Sequence, residues 1–391
     1  MKEPNPTIES IGFNNIKGFP KEKRKTKIRN YFRTLRKEIY PHIKFKMRHN
    51  AKYSSDDILD LLTHTALNHD FTNNGSKTFG FTRENSPDGD TVLYHMKKHS
   101  AADYIRMFNK VNYRILWMAQ NRGLLKGKLD VAIDFTDQLY YGKKDTPMIV
   151  GTKPQRGAHY AYKYATINIV EKGIRFTLLA IPKSQLVTMM HIVKTLIEYA
   201  KTKIDIGTVY LDRGFYSKDV MRYLDENDIK FLMPAPMNKR IVRVTEGVAA
   251  QTVIPLKIGI IQGRRGKERF KDPVEINLVV TEDSYGKRYF ATNLNVIDGY
   301  GNYLLKKYKK RWGIETSYRM KNIFRTRTTS KNYAIRLFMF LFSVCLYNLW
   351  VLINAFVEAF IFKKALKKPY LTAKVFGAIL ISTGFYIDNG G

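Results

Sequence analysis

The sequence contains a single cysteine, Cys345, among its 391 residues. One thiol excludes an intramolecular disulfide and any zinc site built from several cysteines. Cys345 lies within an apolar run, so we expect a buried core side chain rather than a nucleophile. The opening residues, MKEPNPTIES, lack the apolar stretch of a signal peptide. We therefore expect an intracellular chain.

Acidic residues are scarce relative to basic ones. The 34 Asp and Glu residues stand against 67 Lys and Arg residues, which gives a formal net charge of +33. Such an excess produces strong self-repulsion unless a polyanion neutralises it, and nucleic acid is the commonest polyanion partner. The alternatives are a basic ribosome-associated protein and a protein of the membrane surface. The charge therefore favours a nucleic-acid-binding protein.

Charged residues are absent from one long segment, residues 337–357, LFMFLFSVCLYNLWVLINAFV. By length alone this segment could cross a membrane as a helix. It contains the polar residues Ser343, Asn348 and Asn354, and the sequence has one such segment. We expect a helix buried through the centre of a large soluble fold, which also reads as apolar on all sides. A single membrane span is the alternative.

Changes in composition divide the chain into five regions. Residues 1–125 are densely basic with interleaved aromatic residues, and helices are expected after the N-caps Ser54 or Ser55 and Ser100. We expect a short arm followed by a small basic helical domain that binds DNA. A helical scaffold that contacts only backbone phosphate is the alternative. The other four regions are residues 126–237, 238–295, 296–362 and 363–391.

Strand and helix patterns alternate in residues 126–237. Three strands are expected first, the second and third joined by a tight turn at Glu171-Lys172-Gly173. A helix, a strand, a helix and a strand follow, and the last two strands should be parallel because a helix links them. Residues 238–295 read as short alternating strands around the basic loop GRRGKERFK. Residues 302–324 read as one long helix.

Two of the expected strands carry acids at or near their ends. Asp134 lies within VAIDFT, and Asp212 closes TVYLD. Asp130 and Asp137 are rivals to Asp134, but Asp134 is the one placed inside the strand between apolar residues. Burial of a lone carboxylate is unfavourable unless a cation compensates it, and two carboxylates on neighbouring strands suit Mg²⁺. These aspartates are therefore candidate metal ligands.

Glu315 is the candidate for a third carboxylate. On an unbroken helix it shares one face with Tyr308, Arg311 and Arg319. That face could be a plain solvated surface, with Glu315 in a salt bridge to Arg311 or Arg319. Opposed to the two aspartates, it would supply an acid for metal and cations for phosphate. Phosphoryl transfer on DNA needs both kinds of group.

The order of the elements and the three carboxylates resemble the DDE transposases of the insertion-sequence-four-like superfamily. The most specific segments are "DRGFYS" and "YKKRWGIE", the second of which is similar to the Tyr-Arg-Glu-Lys signature of that superfamily. The resemblance covers roughly residues 129–360. It implies an α/β fold: an RNase H-like mixed sheet flanked by helices, with a β-rich insertion and an N-terminal helical basic domain. Residues 126–237 and 296–362 would be the two parts of the catalytic core.

The resemblance also implies an activity. The chain would bind the terminal inverted repeats of an insertion sequence and, as at least a homodimer in the synaptic complex, carry out metal-dependent DNA cleavage and strand transfer. Activated water would cut at the 3′ end, and the freed 3′-OH can attack the opposite strand to form a hairpin. Reopening of the hairpin would free the 3′-OH again, which would then join target DNA. Two Mg²⁺ or Mn²⁺ ions would be held by Asp134, Asp212 and Glu315. The residues that would contact the DNA are Tyr308, Arg311, Arg319 and Lys321.

The sequence departs from the signature at its last residue. The signature's Lys is expected at position 322, which is Asn322, and Lys321 comes one residue early. On an unbroken helix Lys321 would be rotated away from Glu315, so Arg319 is the alternative contact. A nuclease or resolvase on the same fold would share the carboxylates. A cytoplasmic, nucleoid-associated location is expected, with no membrane partner.

Further expectations concern one tryptophan and three histidines. We expect Trp312 in the core rather than stacked on a base. His95 and His99 are four residues apart without a third ligand, so a solvated helix face is expected. His159 follows the first strand in a loop that could approach the active site.

Overall fold

The computed structural model describes residues 22–262 and 268–388. The expected N-terminal arm and most of the basic loop at 263–271 lie outside these residues. The described helices are α1 (Glu22–Ile39), α2 (Ser55–Leu67), α3 (Thr72–Gly80), α4 (Gly89–Lys97), α5 (Ala101–Asn121), α6 (Met189–Lys201), α7 (Lys218–Glu226), α8 (Lys239–Val244), α9 (Gly301–Tyr308), α10 (Trp312–Ile323), α11 (Tyr333–Phe356) and α12 (Ala373–Asp388). The described strands are β1 (Lys128–Tyr140), β2 (Ile149–Gln155), β3 (Ala158–Ile169), β4 (Thr177–Pro182), β5 (Asp205–Leu211), β6 (Lys230–Pro234), β7 (Val253–Gln262), β8 (Glu268–Asp283) and β9 (Gly286–Thr292).

All the described strands join one mixed sheet, in the order β2-β3-β1-β5-β6-β9-β8-β7, with β4 paired to β3. The connections explain the directions. β5 and β6 are parallel, as predicted, because α7 carries the chain back between them. β1 is also parallel to β5, whereas β1 and β3 are antiparallel. The predicted mixed α/β architecture is confirmed.

The turn at Glu171-Lys172-Gly173 joins β3 to β4 as predicted, with Gly173 at a φ of +85°, where a side chain would be strained. Strand β2 was not predicted. It lies at the edge of the sheet, contains Pro154 and exposes most of its residues, so its pattern lacks the alternation of a half-buried strand.

The β-rich insertion continues the main sheet rather than forming a separate layer. β9 pairs antiparallel with β6, and β8 and β7 follow outward. The first part of this region was predicted as a strand, and that prediction was wrong. Residues Lys239–Val244 form α8, because the Asn238 side chain accepts a hydrogen bond from the Ile241 N–H at 3.0 Å and caps the helix.

The N-terminal helices share a core with α11. The ring of Phe338 on α11 lies 4.8 to 5.7 Å from the rings of Phe45, Tyr104 and Phe108, measured between centroids. Capping boxes at Ser54 and Ser100 start α2 and α5 where the sequence indicated helix starts. Helix α11 therefore packs against both the N-terminal helices and the sheet.

Helix α11 is long and apolar enough to cross a membrane, by length and composition, yet its side chains are buried inside the fold. This matches the expected buried helix. Cys345 lies on it and is buried, also as expected.

His95 and His99, expected on a solvated face, are buried. The backbone of Lys46 fits between the two rings. Its N–H donates to His99 Nε2 at 3.0 Å, and its carbonyl oxygen lies 3.1 Å from His95 Nδ1. Their spacing therefore serves to dock a neighbouring segment of the chain.

Asn348 on α11 clamps the edge of the sheet. Its Oδ1 accepts from the Thr177 N–H at 2.9 Å, and its Nδ2 donates to the Thr177 carbonyl oxygen at 2.8 Å. Asn348→Leu would leave the buried Thr177 N–H unpaired and would remove one of two donors to the Thr177 carbonyl oxygen, which also accepts from Asn112 Nδ2 at 3.2 Å. We expect the free energy of unfolding to fall by about 2–4 kcal/mol in detergent-free urea denaturation.

The matched control is Ser343→Ala on the same helix, because the Ser343 hydroxyl donates only within the helix, to the Phe340 carbonyl oxygen at 2.7 Å. Its loss should be below about 1 kcal/mol. Equal losses in the two variants would contradict the clamp.

Candidate active site

Strands β1 and β5 bring two carboxylates to neighbouring positions, one within β1 and one directly after β5. Ile133 and Leu211 are paired across these parallel strands, and Asp134 and Asp212 follow them directly. β5 ends at this point, whereas β1 continues to Tyr140. Each aspartate Oδ1 accepts a 2.7 Å hydrogen bond from the next backbone N–H, which fixes the side chain beside its own backbone.

Asp130, a rival to Asp134 in the sequence, is a structural residue. Its Oδ1 accepts from the Thr208 N–H at 2.9 Å, and its Oδ2 accepts from the Tyr210 hydroxyl at 2.9 Å and from Lys310 Nζ at 3.0 Å. Lys310 also pairs with Glu171 at 3.1 Å. This network joins β1, β5 and the segment just before the helix that carries Glu315, and no sequence feature except the acids themselves indicated it.

The helix predicted over residues 302–324 is interrupted. A 3₁₀ turn at Lys309–Arg311 separates α9 from α10. Just before the turn, the Tyr308 hydroxyl donates to the Leu211 carbonyl oxygen at 3.1 Å, and its ring lies 5.0 Å from that of Phe290. Tyr308 is buried, so the structure gives it a positioning role at the end of β5 in place of the expected DNA contact.

Arg311 lies between two of the three candidate carboxylates. Its guanidinium is 3.2 Å from Asp134 Oδ2 and 2.8 Å from Glu315 Oε1. The Arg311 and Asp134 side chains are 12% and 17% exposed, so their contact is more shielded from water than a surface ion pair, whereas the Glu315 side chain is 46% exposed. The salt bridge from Glu315 to Arg311 that the sequence left open is present, and it is shared with Asp134.

Tyr318 was missed by the sequence reading. Its hydroxyl donates to the Asp134 carbonyl oxygen at 2.9 Å and lies 2.7 Å from Thr166 Oγ1. Tyr318 is three residues after Glu315, so it occupies a neighbouring position on the same helix face. That spacing is the sequence feature that could have identified it. Tyr318 thus holds α10 against β1.

The pKa of the Asp134 carboxyl is raised from 3.8 to about 6. Burial is the main cause, and the negative charges of Asp212 and Glu315 add to it, against the opposing effects of the Phe135 N–H and of Arg311. The three carboxylates therefore influence one another electrostatically. The Phe135 N–H and Arg311 do not fully stabilise the charged form of Asp134.

No three His, Cys, Asp or Glu side chains in the described part of the chain form a ready-made metal ligand group. The donors at the site nevertheless suit a hard divalent cation, because they are carboxylate oxygens on two adjacent strands and a facing helix. The raised pKa of Asp134 is a further sign that a cation would be favoured there. Asp134, Asp212 and Glu315 thus fit a metal by their chemistry.

Two other expected positions on α10 differ from the sequence reading. Arg319 is exposed and donates to Thr316 Oγ1 at 3.4 Å, so it remains available to a ligand. Lys321 is buried, and its Nζ donates to Asn168 Oδ1 at 2.9 Å and to Ser317 Oγ at 3.2 Å. Burial lowers the pKa of Lys321 well below its ordinary value. Lys321 therefore lies in the core, and this position does not favour the predicted contact with DNA.

Trp312 was expected in the core, and that expectation was wrong, because its side chain is 64% exposed. It is the first residue of α10, directly after the 3₁₀ turn, so the regular helical phase does not carry over to it. His159 is exposed at the start of β3, and among the described residues no hydrogen bond links it to the carboxylates.

The raised pKa of Asp134 leads to a prediction about stability. Between about pH 4 and pH 6 the folded state holds more protons at this group than the unfolded state, so the free energy of unfolding falls as the pH rises. Asp134→Asn removes this effect. We expect the metal-free variant to gain on the order of 2 kcal/mol at pH 7.5 and little at pH 4, by urea denaturation in EDTA.

The control for this comparison is Asp137→Asn on the same strand. Asp137 accepts a 2.6 Å hydrogen bond from Thr152 and pairs with Lys163 at 3.3 Å. Its neutralisation should lower stability or leave it unchanged at pH 7.5. A loss of stability in the Asp134 variant at that pH would show that its charge is fully compensated.

Comparisons with known proteins identify a related domain and a related fold. Residues 181–349 match the family described as transposase DDE domain, a span that includes Asp212 and Glu315. A piggyBac transposase, solved as a synaptic complex with hairpin DNA, shares the fold with a TM-score of 0.61 at 11% identity, over 93% of this chain and 82% of that one. No curated protein matches significantly. Residues 181–349 are therefore a transposase DDE domain, and the chain is a transposase enzyme.

Proposed function

We propose that this transposase binds the terminal inverted repeats of an insertion sequence and cuts and joins DNA with divalent metal ions. The observation that carries the proposal is that Asp134 and Glu315 both contact Arg311, while Asp212, on the strand next to Asp134, interacts electrostatically with Asp134. The insertion-sequence-four-like superfamily is the group we favour, because the Tyr, Arg and Glu of "YKKRWGIE" act together in this fold.

Asp134, Asp212 and Glu315 would hold Mg²⁺ or Mn²⁺, most simply as a pair of ions. Such ions activate an attacking oxygen and stabilise a leaving one when bound. Because Arg311 already contacts Asp134 and Glu315, the same carboxylates serve both cations. Release from these contacts would leave the Arg311 guanidinium beside the site, where it could contact a DNA phosphate.

The remaining residues of the site would position the DNA. Arg319 is exposed one turn beyond Glu315 on α10, so it can reach a phosphate near the reacting one. Tyr308 holds the end of α9 against the end of β5, and Tyr318 holds α10 against β1. The basic helices before residue 126 would supply recognition of the transposon end, in keeping with the net charge of +33.

The related fold of a synaptic complex with hairpin DNA supports a DNA partner for this chain. Synapsis of two ends would require at least a homodimer. We also propose a cytoplasmic, nucleoid-associated location, since DNA would be both the substrate and the target.

The direct test is cleavage and joining of a duplex that carries the terminal repeat flanking this reading frame, with Mg²⁺. Asp212→Asn keeps the shape of the side chain and removes its charge. We expect cleavage to fall by at least about a thousandfold while DNA binding is retained.

The matched control is Asp219→Asn, an exposed acid in the first turn of α7, which should keep its activity. Equal cleavage by wild type and the Asp212 variant would make Asp212 a structural cap and remove the metal site. Cleavage without joining in wild type would instead favour a nuclease or resolvase.

A further inference from the structure

A cavity of about 930 Å³ lies further along the elements that carry the catalytic carboxylates. It is formed by the end of β1, by the turn between β2 and β3, and by the segment after α10. β1 carries Asp134 and reaches the cavity at Asp137, and α10 carries Glu315 and reaches it at Asn322. At about 3.3 Å per residue, the cavity lies roughly 10–20 Å along β1 from Asp134.

The walls of this cavity are strongly basic. Within the described part of the chain, none of its cationic side chains forms a salt bridge, and its one carboxylate, Asp137, already pairs with Lys163. Uncompensated cations in a concave site attract a polyanion. We call this feature the basic cavity; its cationic residues are Arg156, Arg325, Arg327, Lys331 and Arg336.

Two of these arginines are partly or fully withdrawn from water. Arg336 is buried, and its Nε donates to the Ser330 carbonyl oxygen at 2.6 Å while its guanidinium lies 5.7 Å from the ring of Tyr140. Burial and the nearby charge of Arg336 lower the pKa of Arg325. No hydrogen bond of the Arg325 side chain is found in the described residues. Arg336 is therefore held in place, and within the described residues neither arginine pairs with a carboxylate.

The rim of the basic cavity adds exposed aromatic rings. The side chains of Tyr141 and Phe71 are 68% and 40% exposed, and both line the cavity. Exposed rings beside cations provide stacking surfaces for bases whose backbone the cations neutralise. Bases in a duplex are already stacked on one another, so this combination fits an unpaired strand better than a duplex.

We propose that the basic cavity binds the phosphates of an unpaired DNA strand that leads away from the cut. This inference rests on the proposed function, because it requires DNA at the carboxylates. Arg325 and Arg336 would contact phosphates inside the cavity, and Arg327 and Lys331 would contact them nearer its mouth. Tyr141 and Phe71 would stack on the bases of the same strand.

The test is binding of fluorescein-labelled terminal duplexes, followed by anisotropy in EDTA so that no DNA is cut. One duplex is blunt, and the other carries a single-stranded extension of about eight nucleotides. We expect wild type to bind the extended duplex more tightly. Arg325→Gln combined with Arg327→Gln should bind it about tenfold more weakly, with the blunt duplex unaffected. The slope of log affinity against log salt should fall by about 2.

The matched control is Lys194→Gln, an exposed cation on α6, which should leave both affinities unchanged. Tyr141→Ala should reduce the preference for the extended duplex without changing the salt slope, because it removes stacking and no charge. Thermal unfolding of each variant shows whether it is folded.

Three results would overturn the inference: no preference for the extended duplex in wild type, an unchanged preference in the double arginine variant, or an equal loss with the control. Thermal stabilisation by inorganic phosphate that the double variant loses, with DNA binding intact, would assign the cavity to a free anion instead. The binding assay needs no catalysis. Cleavage by Asp212→Asn can therefore contradict the proposed function without deciding this inference, and the reverse also holds.

Discussion

The contact of Arg311 with Asp134 and Glu315 is the interaction on which the site depends. Carboxylates brought close together repel one another, and Asp134 is also largely withdrawn from water, so its charged form needs a cation. In the protein alone that cation is the Arg311 guanidinium. It does not fully stabilise the charged form of Asp134, because the pKa of Asp134 remains raised. The 3₁₀ turn at Lys309–Arg311 and the bond from Tyr308 to β5 put the guanidinium where it is needed.

The unequal lengths of β1 and β5 give the site its place in the fold. β5 ends at Leu211, and β1 continues beyond its last residue paired with β5, held on its other side by β3. The carboxylates lie at this step, and the basic cavity lies further along β1. Helix α11 contacts the same sheet, because Asn348 forms hydrogen bonds with the backbone of Thr177 in β4. One strand thus connects the proposed chemistry with the proposed path of the DNA.

The sequence was most informative where a residue contradicted its surroundings. Asp134 and Asp212 were recognisable as candidates because a carboxylate next to apolar strand residues is unfavourable without a compensating cation. The crossover helix α7 made the parallel pairing of β5 and β6 predictable. The position of Lys321 and the exposure of Trp312 were harder, because each depends on the phase of a helix that a 3₁₀ turn interrupts. Strand β2 was missed because an exposed edge strand has no apolar alternation.

Direct titration with Mn²⁺ is the sharpest test of the central claim, that one set of carboxylates serves either Arg311 or divalent metal. By isothermal calorimetry, Asp212→Asn should bind Mn²⁺ at least about tenfold more weakly than wild type, because it loses a charged ligand. Arg311→Gln should bind it more tightly, because the competing cation is gone. Unchanged affinity in the Asp212 variant, or weaker binding in the Arg311 variant, would contradict the account.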